Sequence, residues 1–520
     1  MRKVKEILSV WRGRLLDEDG IDWWNFVSVL IAQDVLTVLE LHNVAEQITS
    51  SDELWVSRPG GSALLLSSLL NREIGSFARK GVFHAASGVG RYAGLIRRFS
   101  FAQIKEIFLD KYDPGYEFRA RFARSNEASS GPVVLVPSAY KNVSRMAAAY
   151  ARLLPQQKFL VVTTRHSGTQ FDPPANMTLR ELASYAHAGP TNREEKSLLK
   201  RWRELRQEMR ATPELEALDR SGKLNAVEGW IKHGISIRDA WRQVLDREPV
   251  CGVLCGDDSN RSTLLPVLLA SRKNIPTVDF HHGAFDGRYL LKDVPCDVYL
   301  AKNEMERDYL LRVCGLDGRK VQIAAPAPSR VQMRREQDAQ KSAIVFFSEP
   351  YEGVGMRGVE AYREILPRLC RLAEAHGRRV LVKLHPFESR WQRENLLREV
   401  LAERDKVPVS VIDGPLTDAL MDQAWFGITV ESTSALNCLQ NGVQCFLCGW
   451  LKLSAFEYVD QYVRFGVGEF LEHPDRIAEI PDRLRRFDPA AVCRQASADP
   501  MQLAEWLGAG AASEVSGVPQ

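Results

Sequence analysis

The sequence predicts an α/β protein made of two doubly wound, Rossmann-like halves facing a cleft, on three observations. Strand-like and helix-like segments alternate along the chain, the pattern of a parallel sheet with helical crossovers. Segments such as "GPVVLVPSA" and "AIVFFSEP" are continuous apolar runs, as strands buried on both faces are. The alternation runs twice, interrupted by one polar, charged stretch, "VQMRREQDAQKS" (Val331 to Ser342), that suits a linker.

The elements follow in order. "DELWVSR" (Asp52 to Arg58) reads as a strand, then come a Pro–Gly–Gly turn and the helical "SALLLSSLLNREI". "GPVVLVPSA" (Gly131 to Ala139), "RMAAAYARLLP" and "KFLVVTTR" make a strand, a helix and the next strand, a βαβ unit. From about Thr191 to Glu248, "NREEKSLLKRWRELRQEM" and "NAVEGWIKHGISIRDAWRQVL" are charged and amphipathic with helical period, which predicts a helical insertion. The sheet resumes with "VCGVLCGDD", "PTVDFHHGAFDG", "CDVYLAKN" and "KVQIAAPAPSR". After the linker, "AIVFFSEP", "RRVLVKLHP", "VSVIDGP", "WFGITVESTSALNCLQNG" and "VQCFLCGW" supply a second series. The expected domains are therefore 1–330, carrying an insertion at about 191–248, and 331–520, with C-terminal helices and a disordered tail "EVSGVPQ". No short-period repeat is present, which argues against a solenoid.

Composition narrows the function classes. A chain of 520 residues, 45% hydrophobic and 26% charged, is long enough to bury ample core. A net charge of +3 disfavours a wholesale nucleic-acid binder. No run of eighteen or more uncharged apolar residues occurs, and the N-terminus lacks a signal peptide's apolar core, so a cytoplasmic protein is expected. Nine scattered cysteines then predict free thiols. Cys445 and Cys448 form one CxxC without a second pair. On a strand they would point to opposite faces, which predicts buried thiols rather than zinc ligands.

Chemistry-bearing stretches sit just after predicted strands, where open α/β sheets bind ligands. In "EPYEGVGMRG", Gly353, Gly355 and Gly358 match GxGxxG, read either as a plain loop or as a loop whose N–H groups approach a phosphate. The next strand ends at His385–Pro386, not at an acidic ribose-binding residue, so a dinucleotide site is disfavoured. Proline alone accounts for a corner there. In "TVESTSAL", Glu431, Ser432, Thr433 and Ser434 open a helix. The hydroxyls are either caps or part of an anion cradle. In the first half, "FHHGAFDG" places His281, His282 and Gly283 at a strand end, and "CGDDSNRS" does the same for Asp257 and Asp258. Each of these is a packed or capping residue, or a titratable group for general-base work. The aspartates and histidines show no HExxH or comparable metal spacing, so no metal site is expected. A second His–Pro, His473–Pro474, reads as a turn before a helix with no strand ahead of it.

In this order, the stretches resemble GT-B glycosyltransferases, and more narrowly the bacterial capsule and surface-polysaccharide group. That group includes polysialyltransferases, capsule Kdo transferases and CDP-glycerol glycerophosphotransferases. The resemblance rests on His385–Pro386, on Ser432–Thr433–Ser434 and on His281–His282–Gly283, where the group has Gln–His–Gly. It covers about 250–449 and is vague over the first 130 residues. It implies a GT-B fold and a metal-independent enzyme. A sugar from a nucleotide-activated donor, a CMP-linked acid sugar, would pass to a glycan or lipid-linked acceptor in cell-surface polysaccharide synthesis. His385 and the hydroxyls would hold the donor phosphate, and the nucleotide-sugar is a substrate, so no cofactor is implied. His282, Asp258 and Asp257 are the candidate bases, on the acceptor side. A sugar-nucleotide epimerase and a non-catalytic nucleotide-sugar-binding scaffold are the alternatives. The basic stretch 79–105, with Arg79, Lys80, Arg91, Arg97, Arg98 and Lys105, is read either as a solvated face or as a peripheral contact with anionic lipid at the inner face of the cell membrane.

Overall fold

The computed structural model describes residues 2–49, 52–56, 61–71, 73–76, 128–185, 192–256, 261–281, 296–326, 341–349, 351, 358–385, 388–401, 408–451, 458–484 and 498–508. The chain opens with α1 (Arg2–Ser9), α2 (Trp24–Ala45), β1 (Trp55–Val56), α3 (Gly61–Leu70) and β2 (Gly75–Ser76). The segment read as a strand supplies β1, which pairs with β2 as a two-stranded sheet separate from the two large ones. α2 is the one helix among the described residues long and apolar enough to cross a membrane. Its Trp24, Phe26, Val27, Ile31, Val35 and Val38 are packed into the core, and its Asp34 pairs with Lys223 at 2.9 Å.

The first main sheet comprises β3 (Val133–Ser138), β4 (Lys158–Thr163), β5 (Met177–Glu181), β6 (Val250–Cys255), β7 (Thr277–Phe280), β8 (Val298–Ala301) and β9 (Val321–Ile323). All pairings are parallel and the spatial order is β5-β4-β3-β6-β7-β8-β9. Parallel strands need crossovers, and helices supply them. α4 (Lys141–Leu153) turns Val143, Ala147, Tyr150 and Ala151 inward at helical spacing. The helical insertion is present as α5 (Asn192–Met209), α6 (Pro213–Arg220) and α7 (Ala226–Arg247), between β5 and β6. The fully buried Arg238 of α7 ties it to the N-terminal segment. Its Nη1 donates to Asp17 Oδ2 at 2.7 Å and its Nη2 to Glu194 Oε2 at 2.7 Å and Asp239 Oδ1 at 2.9 Å. α8 (Arg261–Arg272) and α9 (Glu304–Asp308) complete this half.

The second sheet comprises β10 (Ala343–Phe347), β11 (Arg379–Lys383), β12 (Val409–Ile412), β13 (Ala424–Thr429), β14 (Cys445–Cys448) and β15 (Glu469–Leu471), in the order β12-β11-β10-β13-β14-β15 and all parallel. Its helices are α10 (Gly358–Ala375), α11 (Arg390–Leu401), α12 (Asp418–Gln423), α13 (Ser434–Gln440), α14 (Tyr458–Arg464) and α15 (Ile480–Leu484). Numbered from its own first strand, the sheet runs 3-2-1-4-5-6, the Rossmann order, and the first sheet runs the same way with a seventh strand added. The expected pair of doubly wound halves is thus observed. Cys445 and Cys448 are buried and join different core clusters, as a strand spacing of three requires.

Two edge strands, β5 and β15, were not foreseen in the sequence, and β15 stands directly ahead of His473. That histidine still does what was expected of it, accepting the N–H of Asp475 through Nδ1 at 3.4 Å as the cap of a 3-10 turn. The last described helix, α16 (Pro500–Trp506), was expected with the second domain. It packs on the first sheet instead: Ala498 N–H donates to Ala325 O at 2.8 Å, and Leu503 and Leu507 enter the first sheet's core. Gly252 of β6 permits this, since a Cβ there would lie 2.2 Å from Leu507 O. The halves also meet where Tyr309 and Tyr458 stack edge-on at 5.0 Å and Arg464 pairs with Asp308.

Candidate functional site

In an open doubly wound sheet, the crevice for a ligand opens beyond the C-terminal strand ends, where the strand order reverses. In the second half that point lies between β10 and β13, with β11 on the other side of β10. The sequence-predicted residues His385 and Glu431 to Ser434 leave the ends of β11 and β13, so both stretches flank the end of β10. Gly427 of β13 lets α13 lie close on the sheet, for a Cβ there would stand 2.6 Å from Cys438 Sγ of that helix.

His385 is half-buried at a corner that side chains lock. Glu388 Oε2 accepts the His385 N–H at 2.8 Å, while Glu388 Oε1 accepts Arg393 Nε and Ser348 Oγ, each at 2.6 Å. Ser348 Oγ also lies 2.6 Å from Tyr362 OH. The Arg393 guanidinium sits over the rings of Tyr351 and Tyr362, at 5.9 and 5.2 Å. Burial, against the pull of Arg393 and the donors, holds the Glu388 carboxyl above its ordinary range. Burial and then the neighbouring Lys383 ammonium push the His385 imidazole below its ordinary value. It therefore meets a ligand near neutral pH as an uncharged donor or acceptor. Lys383 is itself buried, its Nζ donates to Leu384 O at 2.7 Å, and burial lowers its own pKa.

Across β10, the β13 exit is held by Glu349, a residue with no predicted role. Glu349 Oε1 accepts Thr429 Oγ1 at 2.8 Å, Val430 N–H at 3.1 Å and Glu431 N–H at 2.9 Å. Burial pushes this carboxyl up to about 7, against the lowering effect of those donors. Beyond it, Ser432 Oγ donates to Ser434 Oγ at 3.0 Å and accepts Ser434 N–H at 3.2 Å. The predicted capping role is thus met in part, by Ser432 rather than by Thr433, which stands at the cap position without a side-chain bond. All three hydroxyl residues remain half-buried.

Asp257, Asp258, His282, Pro386, Gly353 and Gly355 lie outside the described residues, as does the basic stretch 79–105. The strands leading to the first three, β6 and β7, are adjacent in the first sheet. His281, just past β7, is half-buried. Among the described residues, no group of three or more His, Cys, Asp and Glu is placed to hold a metal ion. Glu349 in "SEP" and Glu388 in "HPFE" follow strand ends, but nothing in either stretch says which N–H groups they meet.

No protein-family model matches the chain, and no curated protein matches it. Solved structures align with the chain at low identity. A UDP-GlcNAc 2-epimerase from Methanocaldococcus jannaschii is 10% identical, with 74% of this chain and 99% of that chain covered and a TM-score of 0.44. A glycosyltransferase from Rickettsia africae is 11% identical, with 75% and 98% covered and a TM-score of 0.40. Acinetobacter baumannii MurG is 13% identical, with 70% and 92% covered and a TM-score of 0.39. At such values no residue role or activity transfers to this chain.

Proposed function

We propose that the chain is a nucleotide-sugar glycosyltransferase of GT-B type. In this reading, the donor is a CMP-linked acid sugar, and the sugar passes to a glycan or lipid-linked acceptor in surface-polysaccharide synthesis at the cytoplasmic face of the membrane. The observation that carries the reading is that His385 and Ser432–Ser434 follow β11 and β13, the strands on the two sides of β10, at the switch point of a 3-2-1-4-5-6 sheet. Neutral hydrogen-bond donors from the two flanking strand ends suit a phosphate, and stabilising the charge that grows on a leaving nucleotide needs donors fixed in advance. The Glu388–Arg393–Ser348 lock fixes one of them.

The base that takes the acceptor proton would come from the first half, where Asp258, His282 and Asp257 follow the adjacent strands β6 and β7. The test is a product assay with CMP-, CDP- and UDP-activated sugars and a surface-glycan acceptor. Transfer to acceptor supports the reading. Release of free sugar or an epimer without acceptor identifies an epimerase, and nucleotide binding without turnover identifies a scaffold. Asp258→Asn or His282→Ala should lower turnover by about 10²–10⁴ with donor binding little changed.

A further inference from the structure

Glu349 stands at the end of β10, between the two stretches assigned to the phosphate, and nothing so far gives it a part in binding. Its two carboxyl oxygens are unlike. Oε1 accepts all three donors from the β13 exit, Thr429 Oγ1, Val430 N–H and Glu431 N–H. Oε2 has no partner among the described residues, and the residue is only half-buried. With Oε1 saturated by donors, a proton on this carboxyl resides on Oε2. A phosphate held from both sides by His385 and by Ser432–Ser434 would lie over the end of β10, the strand that Glu349 follows. An ionised carboxylate there would repel it, whereas a neutral carboxylic acid donates to it.

We propose that Glu349 touches the ligand phosphate directly, its protonated Oε2 donating a hydrogen bond between the contacts from His385 and Ser432–Ser434, which rests on the nucleotide reading above. The carboxyl then acts as a proton gate on binding. With its pKa held up to about 7 by burial, the acid form is present below that pH. The groups facing it are Glu431 at the β13 exit, Tyr351, Cys448 of β14, Tyr462 of α14, and Arg393, whose Nη2 donates to the Glu349 carbonyl at 3.3 Å. Burial pushes Tyr351, Cys448 and Tyr462 well up, so they stay neutral across the window in question. Nucleotide affinity is therefore full below about 7 and lost as the pH rises through it.

The experiment is calorimetric titration of the full chain with CMP, CDP and UDP between pH 6.5 and 8.5, for the wild type and Glu349→Gln. The amide keeps an acceptor for the β13 donors and a donor toward the ligand, and it does not titrate. Wild-type affinity should fall up to roughly tenfold per pH unit above the midpoint, while Glu349→Gln binds with little pH dependence and more tightly than the wild type at pH 8.5. Both proteins carry the nucleotide's own ionisation, so the difference between the curves isolates Glu349. Binding with superimposed pH profiles overturns the assignment of Glu349 and leaves the nucleotide reading standing. Absence of binding by any nucleotide at any pH overturns both. Should Glu349→Gln not fold, a flat wild-type profile above pH 7 is enough to overturn the gate.

Discussion

Glu388 accepts the main-chain N–H of His385 at 2.8 Å with one oxygen while the other holds Arg393 Nε and Ser348 Oγ. The carboxylate fixes the backbone of the corner that carries the histidine, so the imidazole is aimed by a buried ion pair rather than by proline alone. Glu388→Ala removes the carboxylate half of the buried Glu388–Arg393 ion pair. Removing one partner of such a pair costs about 3–5 kcal/mol, readable by urea denaturation. A loss near zero, with nucleotide affinity unchanged, would contradict the positioning role.

His385→Ala should leave the fold intact and weaken nucleotide binding. A net hydrogen bond is worth about 0.5–1.5 kcal/mol and one to a charged group about 1.5–3, so a loss of roughly ten- to a hundredfold is expected. Ser432→Ala and Ser434→Ala should act in the same direction, more weakly. Calorimetry with the tightest-binding nucleotide reads all three.

Lys383 is the second cause, after burial, of the low His385 pKa. Lys383→Met should move the imidazole titration upward, though not to its ordinary value, because burial persists. Two-dimensional NMR of the histidine ring across pH 4 to 8 follows it. An unmoved titration would show that the ammonium does not face the ring.

The Glu349 carboxyl is raised to about 7 from its ordinary 4.5, so its contribution to stability is full below the ordinary value and is lost as pH rises through about 7. Glu349→Gln should therefore flatten the decline in melting temperature of the unliganded protein between pH 5 and 8. Parallel wild-type and variant curves would show that this carboxyl does not titrate there.

What was legible in the sequence followed burial. β3, β4, β10, β11, β13 and β14 are runs of apolar residues because helices cover both faces of a parallel sheet, so they stood out. β5, "MTLRE", and β15, "EFL", are edge strands with one side open, and their short, polar segments carry little signal. "DELWVSR" does hold a strand, β1, but its alternation carries no sign that β1 pairs in a separate two-stranded sheet. Around the site, His385 and the hydroxyl run were visible as types. Glu349 and Glu388 were not, because their roles depend on which N–H groups the sheet order brings to them. The return of α16 to the first sheet is a long-range packing event that no local pattern records.

The central claim is that the β11, β10 and β13 ends of the second sheet hold a nucleotide phosphate. Thermal or chemical denaturation of the wild type and His385→Ala with CMP, CDP, UDP and GDP tests it most directly. At about 100-fold its dissociation constant, a bound nucleotide should add roughly 2.7 kcal/mol of stability to the wild type, and much less at the same concentration to His385→Ala. No stabilisation of the wild type by any of the four, or equal stabilisation of both proteins, would contradict it.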